Sequence, residues 1–325
     1  MRNRIVFRTV TALLLGSAGI ALASPQLPPL EKDARARLET SPRHGEWVSV
    51  PAAMGDKVDA WVVYPERKDP APVVIVIHEI FGLSDWVRSV ADQLAAEGFI
   101  AVAPDFLSGK GPDGKGSSAL SPDAARQLNS ALQPAEVVAR LNAVAEWATR
   151  LPAATSKFGV VGYCWGGGMS FLYATAQPNL GAAVVYYGVS PDNQALARVG
   201  APVLGLYGGD DARVDATVPA AQQEMERLGK RYEVEIYEGA GHAFLRQQDG
   251  RDGANLRASE KAWPRTVQFF KEALSEKGMS LAPAQAVPAS LADPQCVCGE
   301  EDWSTGTTAA GAHTAAALAA ATALN

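Results

Sequence analysis

The chain is poor in cysteine, in histidine and in surplus positive charge. Its 325 residues hold three cysteines and four histidines. Lysine and arginine number 29 against 35 acidic residues, a net charge of −6. That balance excludes the basic face on which nucleic-acid binding depends. Beyond Leu22 no apolar run is long enough to span a bilayer. No internal repeat is found. The glycine cluster at residues 166–168 lacks the Lys-Ser or Lys-Thr pair of a phosphate-binding loop. What is present is 47% hydrophobic content, enough for one large α/β domain or two small ones.

The chain opens with Arg2, Arg4 and Arg8, then an apolar run from Val10 to Leu22 and a small-x-small site at Ala21-Leu22-Ala23. This is the pattern of a secretory signal peptide over residues 1–23, cleaved near Ala23. No cysteine comes directly after the site and no twin arginine precedes it, so a lipoprotein anchor and folded export are disfavoured. The expected location is secreted and periplasmic, an oxidising compartment, without a stable membrane anchor after cleavage. Residues 24–45 are polar and proline-rich and read as a leader or linker, with a short helix in "EKDARARLE". Residues 46–279 carry the domain, and 280–325 form an Ala/Pro/Thr/Gly-rich tail expected to be disordered.

Within the domain, "EWVSVPA" and "VDAWVVYP" alternate apolar and polar residues, as half-buried strands of a hairpin do. "PVVIVIH", "FIAVAPDF", "KFGVVGY", "GAAVVYYG" and "APVLGLYGG" are continuous apolar runs of strands buried on both faces. "YEVEIYEGA" is a further strand. Helical spacing separates them, with Ser84 capping a helix over 85–97 and Pro122 at a first helical position. Pro264 marks a kink in the final helix. The alternation predicts an α/β fold, a mostly parallel sheet with helices on both faces and ligands at the carboxyl ends of its strands.

Gly162-Tyr163-Cys164-Trp165-Gly166 comes after one buried strand and opens a helix. It is a G-x-S-x-G elbow with sulfur in place of the serine oxygen. The turn lifts its central side chain above the sheet edge, over a helix N-terminus that favours a thiolate and an oxyanion. A cysteine in a glycine-rich turn is by itself as readily a small core residue. The order of the polar residues further along the chain decides between them. Asp210 and Asp211 come after a later strand, and His242 after the next. Nucleophile, acid, base is the chain order of the elbow hydrolases.

The segments "HEIFGLSDWVRSVADQLAAEGFIAVAPDF", "GVVGYCWGGG", "LYGGDD" and "EGAGHAF" together resemble the dienelactone hydrolase family of α/β-hydrolases, over roughly residues 45–275. The resemblance implies an α/β-hydrolase fold and a carboxylic ester hydrolase of the carboxymethylenebutenolidase type. It implies Cys164 as nucleophile, Asp211 as acid and His242 as base, with Glu79 holding the resting nucleophile. It implies the backbone N–H groups of Ile80 and Trp165 as the oxyanion hole and Arg246 as a binder of a substrate carboxylate. Arg126 is a second candidate for that carboxylate. The expected substrate is a small ester or lactone, an anionic one if these arginines bind it, and no cofactor or metal is expected.

Cys296 and Cys298 form a C-x-C pair in the tail. Two other functions fit the sequence less well: a non-catalytic small-ligand binder on the same fold, and a partner-binding protein acting through the C-x-C tail.

Overall fold

The computed structural model describes residues 25–275. The expected signal peptide and the tail with its C-x-C pair lie outside them. Eight strands form one sheet: β1 (Gly45–Pro51), β2 (Lys57–Val63), β3 (Ala71–Ile77), β4 (Ile100–Pro104), β5 (Ala154–Tyr163), β6 (Ala182–Tyr186), β7 (Val203–Gly208) and β8 (Tyr232–Tyr237). Their order is β1-β2-β4-β3-β5-β6-β7-β8. The first hairpin joins antiparallel, β1 on β2 and β2 on β4, and every later pairing is parallel. The helices are α1 (Ala34–Glu39), α2 (Asp85–Ala96), α3 (Pro122–Ala131), α4 (Pro134–Thr149), α5 (Trp165–Ala176), α6 (Asn193–Leu196), α7 (Ala212–Asp215), α8 (Val218–Arg227) and α9 (Ala254–Ala273).

The apolar runs produce two cores, one on each face. Successive side chains of a strand point to opposite faces, so a strand buried on both must be apolar throughout. In β3, Val73, Ile75 and Ile77 enter one core while Val74 and Val76 enter the other. The first core takes α4, α5 and α8 through residues such as Leu141, Phe171 and Met225. The second takes α2 and α9 through Trp86, Leu94, Trp263 and Phe270. Ser84 caps α2 by accepting from the Val87 N–H at 3.4 Å, as its position before the apolar periodicity predicts.

The last helix runs through Pro264 without a break, as one element from Ala254 to Ala273. A further sequence expectation changes. The stretch read as a leader or linker is docked on the domain from Pro28 onward. Trp86 Nε1 donates to the Pro29 carbonyl at 3.1 Å and Gln248 Nε2 to the Pro28 carbonyl at 2.9 Å. Ala34 is fully buried. Arg43 meets buried Asp92 through Nη2 at 2.6 Å and Nε at 2.9 Å. Removing one member of such a pair leaves an uncompensated charge, at a cost of roughly 3–5 kcal/mol.

Candidate active site

The site lies at the carboxyl ends of the parallel strands. β5 ends at Tyr163, and α5 begins at Trp165, so Cys164 alone makes the turn. Its backbone sits at φ 55° and ψ −117°, a conformation that strains any residue with a Cβ. The turn is this tight because backbone packs on backbone. A Cβ on Gly162 would lie 1.8 Å from the Gly166 carbonyl oxygen, and one on Gly166 would lie 2.4 Å from that of His78. Only glycine fits either position. The Cys164 N–H is anchored to the Tyr186 carbonyl at 3.1 Å, and its own carbonyl accepts from Gly167 and Gly168. The side chain is left half-buried at the head of α5.

Asp211 and His242 come from the loops after the last two strands. Backbone bonds from Gly209 N–H to the Tyr237 carbonyl and from Asp210 N–H to the Ala240 carbonyl, at 2.8 and 2.9 Å, lash the loop after β7 to the loop after β8. Asp211 is buried, and its Oδ2 accepts from His242 Nδ1 at 2.5 Å. Asp210 turns outward and pairs with Arg251 at 2.8 Å near the surface. Burial pulls His242 down, but the hydrogen bond to Asp211 and the influence of Cys164 outweigh it and hold the imidazole at about 9. The imidazole is thus raised above its ordinary value, and Nδ1 is the ring nitrogen that Asp211 engages.

Glu79 lies just beyond β3 and is almost wholly buried. Burial pushes its carboxyl up to about 7, against the pull of Arg246 and His242. Arg246 Nε lies 2.7 Å from Glu79 Oε2, close enough for an ion pair though not aligned as a hydrogen bond. The same guanidinium meets Glu31 Oε2 through Nη1 at 2.5 Å. Beside Glu79, His78 bridges two chain segments. Its Nδ1 donates to the Glu79 carbonyl at 2.8 Å and its Nε2 accepts from the Phe106 N–H at 3.2 Å, which fixes one neutral tautomer. Burial lowers its pKa, consistent with that neutral form.

Ile80 and Trp165 flank this arrangement, and among the described residues neither backbone N–H donates a hydrogen bond. For Trp165 this results from its place at the first helical position. Arg126 stands on exposed α3 with its guanidinium 5.7 Å from the Phe81 ring centroid. Arg246 lies 5.8 Å from the same centroid. A cavity of about 880 Å³ adjoins the site through Phe81 and Arg246. Its walls do not include Cys164, Asp211 or His242, so it borders the chemistry rather than containing it.

Several neighbours of the site carry little or no signal in the sequence. Asn255, at the start of α9, accepts from the Gly241 N–H at 3.0 Å and donates to the Gln247 carbonyl at 2.7 Å, spanning the His242 loop. Tyr187 sits at φ 40° with its ring edge-on to His242 at 5.1 Å. Its buried hydroxyl and that of Tyr163 have no partner among the described residues. Burial raises both phenols, and the Glu79 carboxylate adds to the effect. The doubled tyrosine in "VVYYG" is the available signal, since one of two adjacent strand-end residues must face the elbow.

Comparison with known proteins identifies the family. Residues 58–274 match the dienelactone hydrolase family. The chain belongs to that family. This hydrolase is 33% identical over 242 residues to the carboxymethylenebutenolidase of Pseudomonas putida, covering 71% of this chain and 98% of that protein. It is 32% identical over 245 residues to an Escherichia coli (strain K12) protein named "Putative carboxymethylenebutenolidase", covering 72% and 89%. A crystal structure from Klebsiella pneumoniae, described as a "Putative Dienelactone Hydrolase", superposes with a TM-score of 0.62 at 31% identity, over 71% of this chain and 99% of that one. The sheet and its flanking helices are thus an α/β-hydrolase fold.

Proposed function

We propose that this hydrolase cleaves small carboxylic esters or lactones through a thioester on Cys164, with His242 as acid and base and Asp211 as its orienting partner. The observation that carries the reading is the convergence of a strained elbow thiol and a half-buried His242 bound to buried Asp211 at one edge of a parallel sheet. The sulfur attacks the carbonyl carbon, and the oxygen takes the electron pair as an oxyanion. The N–H groups of Ile80 and Trp165 receive that charge. Collapse breaks the carbon–oxygen bond, and the His242 imidazolium gives its proton to the departing alkoxide or enolate. Neutral His242 then takes a proton from water as the water attacks the thioester. The acid is released and the proton returns to the Cys164–His242 pair. A lactone passes through the same steps, its leaving group remaining tethered.

Asp211 serves by fixing the proton on Nδ1 and stabilising the cation. Glu79 pairs with Arg246. The reaction runs, on this reading, in the periplasm after cleavage near Ala23, where a half-buried elbow keeps the thiol from ready oxidation.

The test is turnover of 4-nitrophenyl acetate by wild type and Cys164→Ala. Loss of at least about a thousandfold in kcat with an unchanged melting temperature is expected. Near-wild-type turnover by the variant would remove Cys164 as nucleophile. An inactive wild type that binds the ester unchanged would mark the protein as a binder.

A further inference from the structure

Glu31 lies outside the family-matched residues 58–274, on the docked N-terminal segment. It is held in place from both sides. The Pro28 and Pro29 carbonyls are bound by Gln248 and Trp86, and Lys32 meets Asp249 at 3.0 Å. Between these anchors the Glu31 carboxylate reaches Arg246.

The cavity wall beside the site carries five formally charged side chains: Glu31, Asp85, Arg88, Asp105 and Arg246. Both cations are engaged. Arg88 pairs with Asp85 at 2.5 Å and lies over the Trp61 ring. Arg246 is taken by Glu79 on one side and Glu31 on the other. Asp105 is consumed by the Leu107 and Ser117 N–H groups at 2.9 and 2.7 Å. Arg126 contributes a further positive charge across the Phe81 ring. An anionic group entering beside Arg246 therefore meets two carboxylates already facing that one guanidinium.

Building on the ester-hydrolase reading, we propose that Glu31 sets the charge selectivity of the site: by occupying Arg246 as a tethered carboxylate, it turns the pocket toward uncharged esters and lactones. A tethered group competes at an effective concentration in the millimolar range, which a micromolar substrate carboxylate does not displace. Removing the charge of Glu31 frees one face of a guanidinium that is already positioned, and a charge-assisted bond to a substrate carboxylate becomes available.

The experiment compares wild type, Glu31→Gln and Glu31→Ala on 4-nitrophenyl hydrogen glutarate and its neutral methyl ester. A second arm measures binding of the inert carboxylate 4-phenylbutyrate and its neutral amide by calorimetry. Glu31→Gln keeps the shape and the hydrogen-bonding oxygen, so it guards against misfolding. Expected is a rise of about tenfold in the anionic-to-neutral ratio of kcat/KM, with 4-phenylbutyrate tightening about tenfold relative to the amide. Ratios within about twofold of wild type in both arms overturn the proposal. If neither ester is turned over by any form, the ester-hydrolase reading fails by itself. The binding arm then still decides whether Glu31 screens Arg246.

Discussion

Asp211 Oδ2 and His242 Nδ1 stand 2.5 Å apart at the tips of two neighbouring parallel strands, while Asp210, the adjacent residue, points to the surface and Arg251. The two aspartates of "GGDD" thus have opposite fates. Backbone bonds between their loops, not side-chain chemistry, decide which one faces the imidazole.

Asp211→Asn is expected to lower kcat/KM by about two to four orders of magnitude, because the wrong tautomer of His242 is then favoured. Asp210→Asn should cost less than about threefold, since it breaks only a half-exposed ion pair. Steady-state kinetics on one aryl ester checks both. A severe loss from Asp210→Asn with a mild one from Asp211→Asn would reverse the assignment.

The pH profile carries a second signature. His242 is held at about 9, so under the proposed mechanism the proton destined for the leaving group is lost above that value. The kcat/KM profile should descend near pH 9. In Asp211→Asn the residual activity should descend at lower pH, because the hydrogen bond and charge that raise the imidazole are gone. An unmoved descending limb in the variant would separate it from His242.

Glu79 makes a stability prediction. Burial raises its carboxyl from the usual 4.5 to about 7, so the folded chain keeps a proton that the unfolded chain has released between those values. Its contribution is fully present below pH 4.5 and is lost as the pH rises through 7. Between pH 4.5 and pH 8, the unfolding free energy of wild type relative to Glu79→Gln should fall by an amount on the order of 3 kcal/mol. Urea titrations at the two pH values measure it. A constant difference would show that Glu79 titrates as an ordinary carboxyl.

Asn255 is expected to act as a positioning residue for His242. Asn255→Ala leaves the Gly241 N–H and the Gln247 carbonyl without their partner, which costs about 2–3 kcal/mol of stability. It should also lower kcat about tenfold with little change in KM, because the histidine loop loosens around the reacting geometry. A variant that loses stability but keeps kcat would make Asn255 structural only.

Much of this fold is legible in the residue order. The runs "PVVIVIH" and "GAAVVYYG" have no polar face, so they belong in the sheet interior, and β3 and β6 are there. The glycines of "GYCWG" encode the elbow because no larger residue survives the approach of Gly162 to Gly166. The docking of the N-terminal segment is not legible. It is held by proline carbonyls, an arginine and a glutamate, and backbone acceptors carry no sequence signal. Asp210 and Asp211 cannot be separated by composition, because their difference lies in loop geometry. Pro264 shows the limit of a local rule: the apolar face of α9, with Trp263, Val267 and Phe270 buried, holds the helix through a residue that removes one of its N–H donors.

The contact between Glu31 and Arg246 joins residues 215 positions apart. Loop closure over such a separation is a late event, since it yields little until the intervening sheet exists. The N-terminal segment leaves the ribosome before any part of the sheet, yet it docks only after the loop beyond β8 has formed. The Arg246 environment is therefore expected to form late in folding. If the same closure opens readily in the native protein, the amide hydrogens around Glu31 should exchange well before those of β3 and β5.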